Sequence, residues 1–149
     1  MSLKDKLTEE MKRALKEKEK IRLSTIRLLV DHINKKEIEQ GRKELDDDGI
    51  FKVISAMIRK GEEAVEQFKL GGRQDLVDQE KEQLEILKGF LPEQLSREEI
   101  QSLIDEAVQE AEAIDLRDLG KVMKILMPKL SGKADGKTVN EMVRERLSG

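Results

Sequence analysis

Apolar side chains recur every three or four residues through the first ninety positions, which is the period of an amphipathic helix. Glycines after the second and third stripes, at Gly41 and at Gly71 and Gly72, mark helix ends because glycine tolerates a left-handed backbone. The pattern therefore predicts four helices in this part of the chain. The stripes cover residues 3–15, 21–38, 50–68 and 76–91.

The remaining residues predict three shorter helices. Pro92 interrupts the fourth stripe. Ser96 and Glu99 then form the pattern of a capping box at the start of the fifth helix. The sixth helix is expected to end before Pro128, and Asp135 is expected to cap the seventh. The three apolar stripes cover residues 100–111, 115–127 and 139–147.

The predicted fold class is all-α, because no alternating strand pattern of useful length occurs. The expected architecture is a four-helix unit over residues 1–92, followed by a small three-helix tail domain over residues 93–149. Charged residues make up 41% of the 149 residues, against about 25% in an ordinary domain. The 29 basic and 32 acidic side chains nearly cancel, and this balance favours a folded chain over a disordered one.

Composition excludes several classes of site. The chain has no cysteine, no tyrosine and no tryptophan, and His32 is its one histidine. Disulfides, thiolate metal sites and RNA-binding modules built on aromatic platforms are therefore excluded. The sequence offers no apolar segment of membrane-spanning length and no secretory leader, so a bacterial-type cytoplasmic protein without membrane contact is expected.

The charges are unevenly divided along the chain. Residues 116–149 contain eight basic and four acidic side chains, a net charge of +4, whereas the preceding 115 residues carry −7. On the predicted sixth helix Arg117, Lys121 and Lys124 share one face, opposite Leu119, Met123 and Leu126. Such a face suits phosphate groups. A solvated lysine face of no function is the alternative.

More basic residues follow in a glycine-containing loop at residues 131–137. Lys129, Lys133 and Lys137 lie in or beside this loop. Its glycines, Gly132 and Gly136, would allow backbone N–H groups to approach an anion at the start of the next helix. The sequence does not complete a nucleotide-binding P-loop, because only three residues separate the two glycines where that motif has four.

No catalytic residue, metal site or cofactor is predicted. His32 is interpreted as a partly exposed helical side chain, and the three acids 46–48 as the start of a helix, where negative charge is favourable. Arg22 and Arg27 stand in an otherwise apolar segment and are expected to pair with acids between helices.

Several motifs together resemble the YqeY family, the stand-alone relatives of the C-terminal region of GatB, a subunit of the glutamyl/aspartyl-tRNA amidotransferase. The resemblance covers nearly the whole chain. It rests on Arg22-Leu-Ser-Thr-Ile-Arg-Leu-Leu, Leu91-Pro-Glu-Gln-Leu-Ser, Gly120-Lys-Val-Met, Leu126-Met-Pro-Lys and Gly132-Lys-Ala-Asp-Gly-Lys.

The resemblance implies a helical domain followed by a three-helix tail that contacts tRNA in GatB. It makes five lysines RNA-contact candidates and assigns three glycines to shaping the backbone. The lysines are Lys121, Lys124, Lys129, Lys133 and Lys137, and the glycines are Gly120, Gly132 and Gly136. The basic face of the predicted sixth helix adds Arg117 as a sixth RNA-contact candidate.

The expected function is that of a non-catalytic, tRNA-binding helical protein, accessory to or derived from the tRNA-dependent amidation of mischarged Glu-tRNA(Gln) or Asp-tRNA(Asn). Two alternatives remain open. One is an adaptor that docks a protein partner through the acidic helical domain. The other is a carbon–nitrogen ligase with glutamine as amido-N-donor, which only the family relation suggests and for which the sequence offers no catalytic residues.

Overall fold

A computed structural model describes residues 2–149 of the chain. These residues form seven α-helices, one 3₁₀ turn and no strand, which confirms the all-helical prediction. The chain divides into two compact units, the first ending at Leu91 and the second comprising Pro92–Gly149. The helices are α1 (Leu3–Lys16), α2 (Lys20–Glu39), α3 (Asp47–Leu70), α4 (Gln74–Lys88), α5 (Arg97–Ala111), α6 (Leu119–Leu130) and α7 (Gly136–Ser148), with the 3₁₀ turn Leu116–Asp118 before α6.

Aliphatic side chains build the core of the first unit. Helix α3 packs chiefly against α4, and α1 and α4 both pack against α2. Phe90 is the one buried aromatic side chain among the described residues. Burying one aliphatic side chain of the core contributes about 1.5–3 kcal/mol to the free energy of unfolding, so the apolar stripes of the sequence supply most of the stability of this unit. The main buried cluster comprises Leu3, Leu7, Ile26, Leu29, Ile33, Ile50, Ile54, Leu87 and Phe90.

Two carboxylates, those of Glu37 and Asp47, join the end of α2, the start of α1 and the start of α3. Glu37 Oε2 accepts a hydrogen bond from Lys4 Nζ at 2.6 Å and another from the Leu45 backbone N–H at 2.8 Å. The hydrogen bond from Lys4 holds the pKa of Glu37 below its ordinary value, and the Leu45 N–H acts in the same direction. Nearby, the Leu3 N–H donates to Asp47 Oδ1 at 3.1 Å. The C-terminal end of α2 is thereby fixed to the starts of α1 and α3.

The prediction for the two arginines of α2 is confirmed for one of them. Arg22 Nη2 donates to Glu10 Oε2 of α1 at 3.1 Å, and its guanidinium lies 5.6 Å from the centre of the Phe90 ring. Arg27 is exposed, and no carboxylate lies within 4.0 Å of it in residues 2–149. Arg22 therefore joins α1 to α2, whereas Arg27 faces solvent.

Helices α3 and α4 approach closely at Gly61. A methyl group at this buried position would lie 2.5 Å from Leu84 Cδ2 and 2.9 Å from Glu80 Oε1. Burial raises the pKa of Glu80 above its ordinary value. The tight packing of the two helices thus depends on the missing side chain and draws one carboxyl group partly out of water.

The second unit contains α5, α6 and α7 around a separate aliphatic core. The predicted capping box is confirmed, since Ser96 Oγ accepts from the Glu99 N–H at 3.1 Å and Glu99 Oε1 accepts from the Ser96 N–H at 3.2 Å. Helix α5 ends where Glu112 adopts a left-handed backbone, with φ of 52°. The buried cluster comprises Ile100, Ile104, Ala107, Val108, Val122, Leu126, Leu130, Val139, Met142, Val143 and Leu147.

The predicted bounds of the sixth helix are wrong at both ends. The 3₁₀ turn, capped by Asp115, precedes α6, which begins only at Leu119. The helix then continues through Pro128 to Leu130. Proline fixes φ at a helical value, and near the last turn it removes only one hydrogen bond. The buried side chain of Leu130 favours completing this turn.

The first unit is not the acidic domain that the adaptor alternative assumes. Residues 1–91 carry twenty basic and twenty acidic side chains, and residues 92–149 carry nine basic and twelve acidic ones. The acidic excess is confined to residues 92–115, the segment that contains α5, which has one basic and eight acidic side chains. The first helical unit is therefore neutral, and the second combines an acidic helix with a basic remainder.

We expect Gly61→Ala to destabilise the protein by about 1–3 kcal/mol, because the added methyl group overpacks the α3–α4 contact. Gly120→Ala is the matched control, since its added methyl group meets open space. Helix propensity alone predicts that this control stabilises by up to about 1 kcal/mol. Urea unfolding measures the free energy of unfolding of both variants. A stabilised Gly61→Ala variant would contradict the close approach of α3 and α4.

We expect Glu80→Gln to raise the urea midpoint at pH 7. The pKa of Glu80 is raised in the folded state, so the folded protein holds this proton more tightly than the unfolded chain does. The protonated carboxyl therefore stabilises the folded state at low pH, and this stabilisation is lost as the pH rises and the carboxyl ionises. The gain from the substitution should therefore disappear at about pH 3.5, below the ordinary carboxyl pKa. Glu82→Gln, at an exposed position on the same helix, is the control. Equal gains at both pH values would exclude ionisation as the cause.

Candidate nucleic-acid interface

Helix α6 presents two lysines on the side opposite its buried stripe. Val122, Leu126 and Leu130 face the core, so the direction of Lys121 and Lys124 follows from the helical period. Lys121 Nζ lies 3.9 Å from Asp118 Oδ1, which is a long and weak ion pair. Lys124 is exposed, and no carboxylate lies within 4.0 Å of it in the described part of the chain.

Arg117 does not share this helical face, because it lies in the 3₁₀ turn before α6. Its guanidinium donates from Nη2 to Asp115 Oδ2 at 2.8 Å and from Nε to Asp115 Oδ1 at 3.1 Å. This pair raises the pKa of Arg117 and lowers that of Asp115. The side chain is 87% exposed, yet its charge is already compensated by a forked carboxylate pair.

The turn between α6 and α7 is held by hydrogen bonds from an earlier segment. Gln94 Nε2 donates to the carbonyl of Gly132 at 2.7 Å, and the Leu95 N–H donates to the carbonyl of Lys133 at 2.9 Å. Gly132 has φ of +71°, which a residue with a side chain rarely adopts. The turn therefore has a fixed backbone from which the Lys133 side chain projects into solvent.

The start of α7 contributes Lys137, which is also exposed and has no carboxylate partner among residues 2–149. Asp135 occupies the N-cap position, and its Oδ2 accepts a hydrogen bond from the Thr138 hydroxyl at 3.3 Å. A carboxylate at this position reduces the attraction of the helix N-terminus for an external anion. Phosphate binding at this end therefore depends on lysine side chains more than on backbone N–H groups.

The other two predicted backbone-shaping glycines lack a positive φ. A methyl group at Gly136 would lie 3.7 Å from Met127 Cε, an ordinary contact, and one at Gly120 would meet open space. Gly132 is therefore the one of the three that the backbone conformation requires.

Three other basic residues of the second unit have side-chain partners. Lys129 Nζ lies 3.9 Å from Glu110 Oε2 of α5. Arg146 Nε donates to Asp105 Oδ1 at 3.1 Å, which joins α7 to α5, and Arg144 Nε donates to Asn140 Oδ1 at 2.8 Å. Of the six predicted RNA-contact residues, the structure leaves three without a carboxylate within 4.0 Å among the described residues: Lys124, Lys133 and Lys137.

Sequence reasoning misses two features of this surface. Asp115 lies two residues before Arg117, so the spacing itself could have indicated the pair. The hydrogen bond from Gln94 to Gly132 joins residues 38 positions apart, and no local pattern reports such a contact.

Asp46 and His32, which were considered from the sequence alone, lie at the start of α3 and on α2. The carboxylate of Asp46 accepts the Gly49 N–H at 2.8 Å and so caps α3. His32 is half-buried on α2. Within residues 2–149 no group of three or more acidic or histidine side chains is placed to hold a metal ion. No described helix combines the length and apolar character needed to cross a membrane.

Residues 4–147 match the family described as Yqey-like protein. A relative from Lachancea thermotolerans, altered inheritance of mitochondria protein 41, is 30% identical over 121 residues, which cover 77% of this chain and 65% of that protein. The chain thus spans less than two thirds of this relative. Proteins of the same name are 28% identical in Pyrenophora tritici-repentis, covering 94% of this chain and 78% of the relative, and 29% identical in Kluyveromyces lactis, covering 89% and 69%.

These relatives contradict the expected cytoplasmic location, because their names describe them as mitochondrial proteins. They are also fungal, so they give no support to the bacterial-type expectation. The expected location rests on two missing features, a membrane-spanning segment and a secretory leader, and such absences do not select a compartment. The family resemblance itself is confirmed, since the match extends from residue 4 to residue 147, and the chain belongs to the YqeY family.

Proposed function

We propose that this protein binds tRNA through its second unit, as a non-catalytic accessory or derivative of tRNA-dependent amidation. The observation that carries the proposal is the set of three lysines without carboxylate partners on α6, on the following turn and at the start of α7: Lys124, Lys133 and Lys137. An unpaired ammonium group keeps its full attraction for a phosphate, whereas a paired one must first give up its partner.

The family relation is the reason for proposing tRNA as the RNA that is bound. YqeY proteins resemble the C-terminal region of GatB, whose tail contacts tRNA, and the three lysines fall on or beside the motifs that carry this resemblance. The proposal extends to the architecture, in which α1–α4 correspond to the helical domain of that region and α5–α7 to its tail.

The fixed turn supports contacts with RNA phosphates that do not read the base sequence. The carbonyls of Gly132 and Lys133 are occupied by hydrogen bonds from Gln94 and Leu95, so side chains, more than the backbone, meet the RNA here. Lysines on a rigid backbone suit contacts with phosphates, which position a nucleic acid without reading its bases. Few phosphates are contacted, so binding should be weak and should fall steeply with salt.

We expect the triple substitution Lys124→Glu, Lys133→Glu and Lys137→Glu to weaken tRNA binding at low salt by about tenfold or more, because three attractive charges become repulsive toward phosphate. The slope of log affinity against log salt should fall by about 0.7–0.9 for each phosphate that the variant no longer neutralises. Filter binding with purified tRNA measures both quantities.

A matched control makes the same change of charge in the first unit, through Lys12→Glu, Lys81→Glu and Lys88→Glu, at three exposed positions. This control should retain most of the affinity. Equal losses of affinity in both variants would show that binding depends on the net charge of the protein and not on these three lysines. Affinity for tRNA no better than for polyuridylate of equal length would exclude recognition of tRNA.

We expect the single residues to differ according to their pairing. Lys124→Ala should lower tRNA affinity by about two- to fivefold, the contribution of one exposed charge pair. Arg117→Ala should have less effect, because Asp115 already compensates the guanidinium. Asp115→Asn, which keeps a capping side chain, should release Arg117 and raise the affinity. The opposite order of effects would show that Arg117 leaves Asp115 to bind the RNA.

A further inference from the structure

A groove of about 920 Å³ lies between α2 and α3 in the first unit. One wall is the face of α2 from His32 to Glu39, and the other is the face of α3 from Asp48 to Lys60. The α3 face repeats at helical spacing through Gly49, Lys52, Val53, Ala56, Met57 and Lys60. At 1.5 Å per residue the groove is about 17 Å long, or three turns of helix.

The rim of the groove is basic and largely unpaired. Five lysines line it, and four of them have no carboxylate within 4.0 Å in residues 2–149: Lys35, Lys43, Lys52 and Lys60. Four acids also line the groove, so its lining carries five positive and four negative side chains. Three of these acids have close partners: Asp46 caps α3, Glu44 Oε1 lies 3.7 Å from Lys4 Nζ outside the groove, and Glu39 Oε2 lies 4.0 Å from Lys36 Nζ within it. Asp48 is engaged as well. The positive charge that remains without a close carboxylate in the described lining is that of the four lysines.

The floor of the groove is apolar. Val53, Ala56 and Met57 on α3 and Leu45 in the preceding loop are half-buried and line it. Methionine adapts its shape and is common on surfaces that accept apolar partners. The Glu37 carboxylate fixes the loop at Leu45 to α2, so one end of the groove is held in place before any ligand arrives.

Charge and shape together select among ligand classes. Lys52 and Lys60 are eight residues apart on one helix, about 12 Å along its axis, so the lysines do not converge on one small anion. A nucleic acid strand would satisfy the lysines but would leave the apolar floor of Val53, Ala56 and Met57 without a partner. His32 is the one aromatic ring in the described lining, so a strand would find a single position on which to stack a base. A peptide with an apolar face and acidic edges satisfies both features.

We infer that this groove binds an amphipathic helix with acidic flanks from a partner protein. Such a helix places side chains at positions i, i+3, i+4 and i+7 on the apolar floor and carboxylates against the lysines, as in other helix-in-groove complexes. A length of three turns matches the α3 wall. The adaptor function considered from the sequence would then use a basic groove of the first unit and not an acidic surface.

The partner is not a second copy of this chain through its own acidic helix. Helix α5 carries the acidic excess, but its apolar stripe of Ile100, Ile104, Ala107 and Val108 is already buried in the core of the second unit. It therefore has no free apolar face to offer. Self-association measured by sedimentation should be absent at the concentrations used in the binding assay.

The test uses the full chain and a labelled 14-residue helical peptide with leucines on one face and glutamates on the others. Fluorescence anisotropy at low salt should show binding, and NMR shifts should appear at the methyl groups of Val53, Ala56 and Met57. Lys52→Glu with Lys60→Glu should weaken binding by about tenfold or more, since like charges then face each other along the groove. Lys81→Glu with Lys88→Glu on α4 makes the same change of charge outside the groove and should alter affinity less than about twofold.

Two further probes separate the ligand classes. A peptide with serine in place of leucine should bind about tenfold more weakly, because it cannot cover the apolar floor. A 12-nucleotide oligouridylate should bind more weakly than the leucine peptide. The proposal is overturned by failure of the leucine peptide to bind, by equal binding of the serine peptide, by tighter binding of the oligouridylate, or by equal losses in the two lysine variants.

Discussion

The set of side chains that this protein exposes depends on the burial of aliphatic side chains along one stripe of each helix. With three phenylalanines and no tyrosine or tryptophan, the chain must obtain its stabilising burial from many small contributions. The stripes therefore run the full length of the helices, and the buried face of each helix determines which residues it exposes. Val122, Leu126 and Leu130 direct Lys121 and Lys124 outward, and Ile50 and Ile54 leave Val53 and Met57 half-exposed beside α2.

Much of the fold can be predicted because its signals are local. The capping box of Ser96 and Glu99 and the period of the apolar stripes depend on residues a few positions apart. The start of α6 cannot be placed from the sequence, because Asp115 caps a 3₁₀ turn as readily as an α-helix. The end of α6 is predicted too early because Pro128 counts against a helix locally, whereas burial of Leu130 against the core favours one more turn.

The candidate site divides in the same way. The positions of Lys124, Lys133 and Lys137 follow from helical period and from the glycine-containing loop, so the sequence locates them. Which basic residues remain unpaired depends on neighbours that the fold supplies, such as Glu110 of α5 beside Lys129. The groove between α2 and α3 cannot be predicted from the sequence either. Its lysines have the spacing of ordinary exposed residues on each helix, and they line one groove only because the fold places the two helix faces side by side.

The acidic helix of the second unit has a consequence for how this unit meets a polyanion. The unit has a net charge of −3, with its acids concentrated on residues 92–115 and its basic side chains on residues 116–149. Two of these acids, Asp105 and Glu110, lie against Arg146 and Lys129, so the acidic helix neutralises part of the basic segment within the folded unit. On the proposed function, a net negative unit would be drawn to a polyanion only by the lysines that no carboxylate neutralises. That attraction would act within a Debye length, about 8–10 Å at physiological salt, and would not steer the unit from afar.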